Sequence, residues 1–116
     1  MNPPCQAALL RVYTEEARRD GARPLYESVV LKARDAGLAG ATVLRGPMGF
    51  GESAQLHTAN ILDLSANLTL VIEIVDAEDK LRAFAAELGG IKDIGLVTLE
   101  TVEVLHYGHV TPAQDG

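Results

Sequence analysis

The fold is decided by residues 68–88, which read LTLVIEIVDAEDKLRAFAAEL. The first eight residues are mostly aliphatic and β-branched, which predicts a strand over 68–75. At Asp76 the pattern changes, because acidic residues come first and an apolar stripe at helical spacing follows. The stripe consists of Leu81, Phe84, Ala85 and Leu88. The stretch therefore predicts a strand that leads directly into an amphipathic helix.

A similar strand–helix unit lies nearer the start of the chain. Residues 8–14 are rich in β-forming side chains, and Pro24 is well placed to open a helix because its missing N–H is not needed there. Gly37 is a plausible end of that helix. The apolar stripe of the helix consists of Leu25, Val29 and Ala33. The two units together suggest a twofold arrangement.

The remaining segments complete the order of elements. A short strand is predicted over 41–45, residues 57–64 could continue as a strand, 65–67 read as a turn, and the final strand is predicted over 101–107. The order strand, helix, strand, strand, helix, strand predicts an α+β, ferredoxin-like βαββαβ sandwich. Its antiparallel sheet carries both helices on one face.

Length and composition fit a single small domain. The 116 residues include no Trp and a 47% hydrophobic fraction, so the core is expected to be aliphatic. The predicted domain spans 8–107, with a flexible N-terminus at 1–7 and a flexible tail at 108–116. A signal-peptide pattern and a long apolar run are both missing, and Cys5 has no partner for a disulfide. These features favour a cytoplasmic protein without direct membrane insertion.

The charge of the chain argues against a nucleic-acid partner. The formal net charge is −6, and an acidic surface repels phosphate backbones. The basic residues do not form a cluster. Arg18, Arg19, Lys32 and Arg34 are each close to acidic residues, and a solvated helix face is the simplest interpretation of them.

The sheet face that the helices leave uncovered is predicted to be partly apolar. The apolar side chains expected there are Leu9, Tyr13, Val71, Val75, Leu105 and Tyr107. A contiguous patch of this kind is typical of an interaction surface, so we expect the chain to form oligomers through this face, although scattered exposure is the alternative. Arg11 and Glu73 share the face and could pair across subunits.

A glycine-rich segment with an adjacent cation follows the second strand. Arg45, Gly46, Gly49, Phe50 and Gly51 form this segment. Glycines let backbone N–H groups approach an anion, and arginine binds phosphate or carboxylate in a bidentate manner, so the segment is a candidate anion site. The alternative is a plain hairpin loop.

Histidines and nucleophiles give no clear chemistry. His57 lies at the far end of the glycine-rich loop and could contact a ligand or titrate near neutral pH, but an ordinary exposed histidine is an equal alternative. His106 and His109 are three residues apart at an expected strand end, a spacing that does not bring two imidazoles to one metal, and no Cys or acid completes a ligand set, so no metal site is predicted. The serines have no catalytic surroundings, and no catalytic residue is assigned. A small ferredoxin-like enzyme, such as an acylphosphatase-like hydrolase or a monooxygenase, and a metal-tolerance trimer remain the alternatives.

Several stretches in fixed order resemble one known family. They are LRVY at 10–13, RPLYE at 23–27, AGLAGATVLRG at 36–46, GFG at 49–51, HT at 57–58, VIEIVD at 71–76 and GLVTLE at 95–100. This set resembles the bacterial PII-like family catalogued as domain of unknown function one-ninety, which is related to the PII nitrogen regulatory proteins. The resemblance covers roughly residues 8–107.

The resemblance implies a homotrimeric signalling protein of ferredoxin-like fold. It implies a long loop at about 46–60, called the T-loop in PII proteins, and a second loop at 89–95, called the B-loop. Small anionic effectors, among them adenine nucleotides, would bind in clefts between subunits. Gly90 and Lys92 would form a second wall there, opposite the T-loop. The T-loop would regulate a partner, and a membrane transporter or channel is a candidate because family members are often encoded beside a fluoride-exporting channel.

Overall fold

The computed structural model describes residues 1–51, 54–58 and 67–108. The helices are α1 (Leu25–Asp35) and α2 (Glu78–Leu88). The long strands are β1 (Cys5–Glu15), β4 (Thr42–Arg45), β7 (Thr69–Asp76) and β8 (Leu96–Val104). The two-residue strands are β2 (Arg19–Asp20), β3 (Arg23–Pro24), β5 (Met48–Gly49) and β6 (His57–Thr58).

The four long strands form one antiparallel sheet in the order β4-β7-β1-β8. Its central strand β1 is bonded to both neighbours, with Arg11 opposite Glu73 on one side and Thr98 on the other. Each half of the fold is a strand–helix–strand crossover, and the two halves interleave. The predicted α+β ferredoxin-like sandwich is confirmed.

The core lies between one face of the sheet and the two helices. Alternate residues of β1 and β7 are buried there, as a strand with one covered face requires. The core cluster consists of Ala8, Leu10, Val12, Leu25, Val29, Ala33, Ile72, Ile74, Leu81, Phe84 and Leu88. Full burial of such a large apolar side chain contributes about 1.5–3 kcal/mol. The opposite residues of the same strands form what we call the open face of the sheet.

Two strand boundaries differ from the predicted ones because of how the strands pair. β1 begins at Cys5 because that residue pairs with Val104, so residues 5–7 belong to the sheet and not to a loose terminus. The last strand runs over 96–104 instead of 101–107, because its partner Tyr13 sits opposite Leu96. Of the segment 57–64, only His57–Thr58 is described and is a strand; residues 59–66 and the tail from 109 lie outside the described part of the chain.

The arginine pair at 18 and 19 was assigned wrongly to a helix face. Arg18 lies in the connection after β1, and Arg19 begins β2. Lys32 and Arg34 do lie in the last turn of α1, as predicted. The sequence contained no helical apolar stripe around Arg18, and that missing stripe was the signal against a helix.

Asp76 is the last residue of β7 and accepts hydrogen bonds from the backbone of two neighbouring segments. The N-cap is Ala77, whose N–H donates to Asp76 Oδ1 at 2.6 Å. Asp76 Oδ2 accepts from the N–H of Ala39 at 2.9 Å, and the residue is only 5% exposed. One buried carboxylate therefore fixes both the start of α2 and the loop that enters β4.

We expect Asp76→Ala to lower the free energy of unfolding by about 2 kcal/mol, because the part-buried hydrogen bonds from the N–H groups of Ala39 and Ala77 lose a charged acceptor. Urea denaturation followed by circular dichroism measures the change. Asp79→Ala, in the exposed first turn of the same helix, is the matched control and should change stability by less than about 1 kcal/mol. Equal effects of the two variants would contradict the role of Asp76.

The helices in the described ranges are too short and too polar to span a lipid bilayer.

Candidate functional site at the end of the sheet

A cavity of about 740 Å³ lies where β1 ends and β7 begins. Four segments line it: the end of β1 with the turn that follows it, the glycine-rich loop, the start of β7 and the residues that enter β8. The lining residues are Tyr13, Thr14, Glu15, Arg18, Gly46, Met48, Gly49, Phe50, Gly51, Thr69, Leu70, Val71, Gly95 and Leu96. Cavities of this volume accommodate small-molecule ligands.

The glycine-rich loop is held against the edge of β7. The N–H of Gly46 donates to the carbonyl oxygen of Thr69 at 2.8 Å. A Cβ at either Gly46 or Gly49 would lie 2.8 Å from Thr69 Oγ1. These two glycines are therefore needed for close approach to Thr69, which places Phe50 and Gly51 at the cavity.

Arg45 does not line this cavity. It lies on the other side of the strand, where its Nε is 2.5 Å from Glu16 Oε1, and its side chain is 65% exposed. The contact is an ion pair without hydrogen-bond alignment. The prediction that Arg45 lies beside Gly46, Gly49, Phe50 and Gly51 in one site is therefore not supported by the geometry of the single chain.

Arg18 is the cation at the cavity. Among the described lining residues it is the only lysine or arginine. Its Nη1 donates to the carbonyl oxygen of Asp93 at 2.8 Å, which ties the loop after β1 to the loop before β8. Sequence reasoning missed this residue because it was grouped with Arg19 as surface charge.

His57 pairs with Gly49, is not a lining residue of the cavity and is 7% exposed, so the alternative of an ordinary exposed histidine is wrong. Its Nε2 is 3.2 Å from Glu15 Oε1, at ion-pair distance but without hydrogen-bond alignment. Glu15 Oε2 accepts a hydrogen bond from Asn67 Nδ2 at 3.2 Å, and Asn67 Oδ1 accepts from the N–H of Ala17 at 2.8 Å. This network fixes the carboxylate of Glu15 at the cavity.

Only the end of the loop between α2 and β8 lines the cavity; the beginning of the loop does not. Gly90 and Lys92 are exposed and lie outside the cavity lining, whereas Gly95 and Leu96 belong to it. Gly95 has φ +95°, and a Cβ there would overlap the carbonyl oxygen of Tyr13. The role of Gly90 and Lys92 in a wall between subunits remains a prediction.

An apolar row crosses all four strands of the open face beside the cavity. The row is set by direct pairing of Leu44 with Val71, Val71 with Tyr13, and Tyr13 with Leu96. Leu44, Tyr13 and Leu96 are 47%, 38% and 61% exposed. The open face is therefore apolar at the cavity end, as predicted, while Leu105 and Tyr107 follow β8 and are not part of the strand.

A charged cluster occupies the centre of the open face. Arg11 Nε donates to Glu73 Oε2 at 2.9 Å, and Nη1 lies 2.5 Å from Glu100 Oε1. The hydrogen bond with Glu73, followed by the nearby carboxylate of Glu100, raises the pKa of Arg11 above its ordinary value. Arg11 and Glu73 thus pair within one chain, whereas the sequence left open that they could pair across subunits.

In the part of the chain that the structure describes, no group of three or more His, Cys, Asp or Glu side chains is arranged to hold a metal ion. Cys5 lies in β1 as a free thiol.

Solved structures of PII-like proteins superpose on this chain. A candidate PII-like signaling protein from Thermus thermophilus superposes with a TM-score of 0.64 at 15% identity, covering 86% of this chain and 90% of that one. The protein CPII from Thiomonas intermedia, bound to ADP and bicarbonate, superposes with a TM-score of 0.59 at 17% identity and covers 88% and 91%. The class of fold is therefore that of the PII-like proteins.

The sequence comparison identifies the family. The sequence profile of the DUF190 family, described as an uncharacterized ACR, matches residues 7–104. A UPF0166 protein of Aquifex aeolicus is 38% identical over 98 residues, or 84% of this chain and 92% of the relative. A UPF0166 protein of Methanocaldococcus jannaschii is 29% identical over 85% of this chain and 92% of the relative. The chain belongs to the DUF190 family, and the predicted relationship to PII-like proteins is confirmed.

Proposed function

We propose that this protein is a PII-like signalling protein that binds an adenine nucleotide in the cavity at the end of the sheet. The observation that carries the proposal is the composition of the cavity, which combines exposed aromatic side chains with a fixed guanidinium group. The solved PII-like protein CPII is bound to ADP and bicarbonate in one structure and to ADP, AMP and bicarbonate in another.

The lining suits a flat base with an attached phosphate. Tyr13 is 38% exposed and Phe50 is 68% exposed, so both offer ring surface on which a purine can stack. Met48 and Leu96 extend this apolar surface. Arg18 provides a guanidinium group that matches the geometry of a phosphate. Recognition of both halves of a nucleotide is therefore available in one cavity.

The assembly we propose is a homotrimer built through the open face. Three members of the apolar row, Tyr13, Val71 and Leu96, also line the cavity. A sister chain on the open face would cover the row and turn the cavity into a cleft between subunits. Gly90 and Lys92 would supply a further wall of that cleft, as the family resemblance implies.

We propose that the glycine-rich loop is the segment that contacts a regulated partner. In this loop Met48 and Phe50 are 61% and 68% exposed, and Leu56, just before β6, is 59% exposed, which is a high exposure for apolar side chains. Phe50 both lines the cavity and is available to a partner. A ligand that stacks on Phe50 would shift the population of loop conformations that a partner, such as a membrane transporter or channel, can bind.

Isothermal titration of the purified protein with ADP tests the proposal. We expect saturable binding that Arg18→Gln weakens about tenfold, because a charge-assisted hydrogen bond to phosphate is lost. Arg45→Gln is the matched control and should bind ADP like the wild type, since Arg45 lies outside the cavity. Absence of heat with ADP and AMP would refute nucleotide binding, and a larger loss with Arg45→Gln would move the site to the other side of the strand.

A further inference from the structure

The charges at the cavity are balanced between one cation and one carboxylate. Among the described lining residues, Arg18 and Glu15 are the only charged side chains. The side chain of Glu15 is 15% exposed. Its two oxygens contact His57 and Asn67, so the carboxylate is held in one position beside the cavity.

A fixed carboxylate beside one guanidinium group limits how much negative charge the cavity accepts. The first phosphate of a ligand can pair with Arg18. Each further phosphate adds negative charge near Glu15, whose side chain is only 15% exposed, so water screens the repulsion less than it would at the surface. The net charge of −6 over the whole chain adds a weaker repulsion of the same sign.

We infer that the cavity selects adenine nucleotides of low charge, preferring the monophosphate to the triphosphate, and that Glu15 is the residue that determines this preference. The inference rests on the proposed nucleotide binding and adds the charge class of the ligand. Glu15 acts on the ligand through its charge, while Arg18 supplies the attraction that is common to all three nucleotides.

Titration calorimetry with AMP, ADP and ATP in the presence of EDTA tests this, because chelation keeps Mg²⁺ from masking the phosphate charge. We expect each added phosphate to weaken binding to the wild-type protein about fivefold. In Glu15→Gln, which keeps the size and the acceptor for Asn67, the AMP-to-ATP affinity ratio should fall about tenfold. Glu87→Gln, on the exposed side of α2, changes the net charge equally and should leave the ratio unchanged.

The outcomes separate the two proposals. A preference for ATP over AMP in the wild type, or an identical ratio in Glu15→Gln and wild type, overturns the charge selection while nucleotide binding stands. Failure of all three nucleotides to bind overturns the proposed function itself. A thermal melt of Glu15→Gln within a few degrees of the wild type shows that the ratio was measured on folded protein.

Discussion

Gly95→Ala should lower the free energy of unfolding by about 3 kcal/mol, through a steric clash and an unfavourable backbone conformation together. Gly95 has φ +95°, which L side chains rarely adopt, and an added Cβ would overlap the carbonyl oxygen of Tyr13 in the adjacent strand. That oxygen is backbone of the central strand and cannot rotate away. The chain at the entry to β8 would have to move, and the cavity wall would move with it.

Variants at two other glycines distinguish the steric clash from the backbone strain as causes of this loss of stability. Gly21 has φ +62° but nothing within 4 Å of an added Cβ, so Gly21→Ala should cost only the backbone strain, about 1 kcal/mol. Gly40 has open space and no positive φ, so Gly40→Ala should be close to neutral. Urea denaturation of the three variants gives the order. A loss for Gly95→Ala no larger than for Gly21→Ala would rule out the close approach to Tyr13.

Leu9→Lys should convert the proposed trimer to monomers. Leu9 lies on the open face of β1 between Val75 and Glu100. In an isolated chain the new ammonium group sits opposite the Glu100 carboxylate and reaches water, so the fold is preserved. Under a sister chain the same group would be desolvated, which costs several kcal/mol. Light scattering coupled to size-exclusion chromatography measures the change in mass.

The control for this variant is Ala86→Lys, on the solvent side of α2, which should remain trimeric. Circular dichroism should show the same secondary structure for both variants. A wild-type mass of one chain at micromolar concentration would refute the trimer directly. A trimeric Leu9→Lys would place the interface elsewhere on the molecule.

Periodicity was sufficient for the fold because each main element carries its own pattern. The alternation in 68–75 and the helical stripe ending at Leu88 are local properties, and both are found in the structure. The bounds of β8 could not be predicted from the residues of that strand alone. It depends on the pairing of Leu96 with Tyr13, more than eighty positions apart along the chain, which no single segment reveals.

The site was predicted only in part for the same reason. The glycine-rich loop could be recognised from its own residues, and Gly46, Gly49, Phe50 and Gly51 do meet at the cavity. The cation of the site could not be recognised in this way. Side chains alternate between the two faces of a strand, and that of Arg45 points to Glu16 and not into the cavity. Arg18 reaches the cavity only through the turn after β1, whose course the sequence does not specify.

The central strand has a consequence for how a signal would leave the cavity. β1 is hydrogen-bonded along most of its length on both edges, so its amides should be among the slowest to exchange with solvent. A ligand bound at the carboxyl end of β1, as we propose, would meet a strand that is hydrogen-bonded on both sides and resists displacement. Movement on binding would then be confined to the two loops that line the cavity at that end, and the rest of the domain would change little.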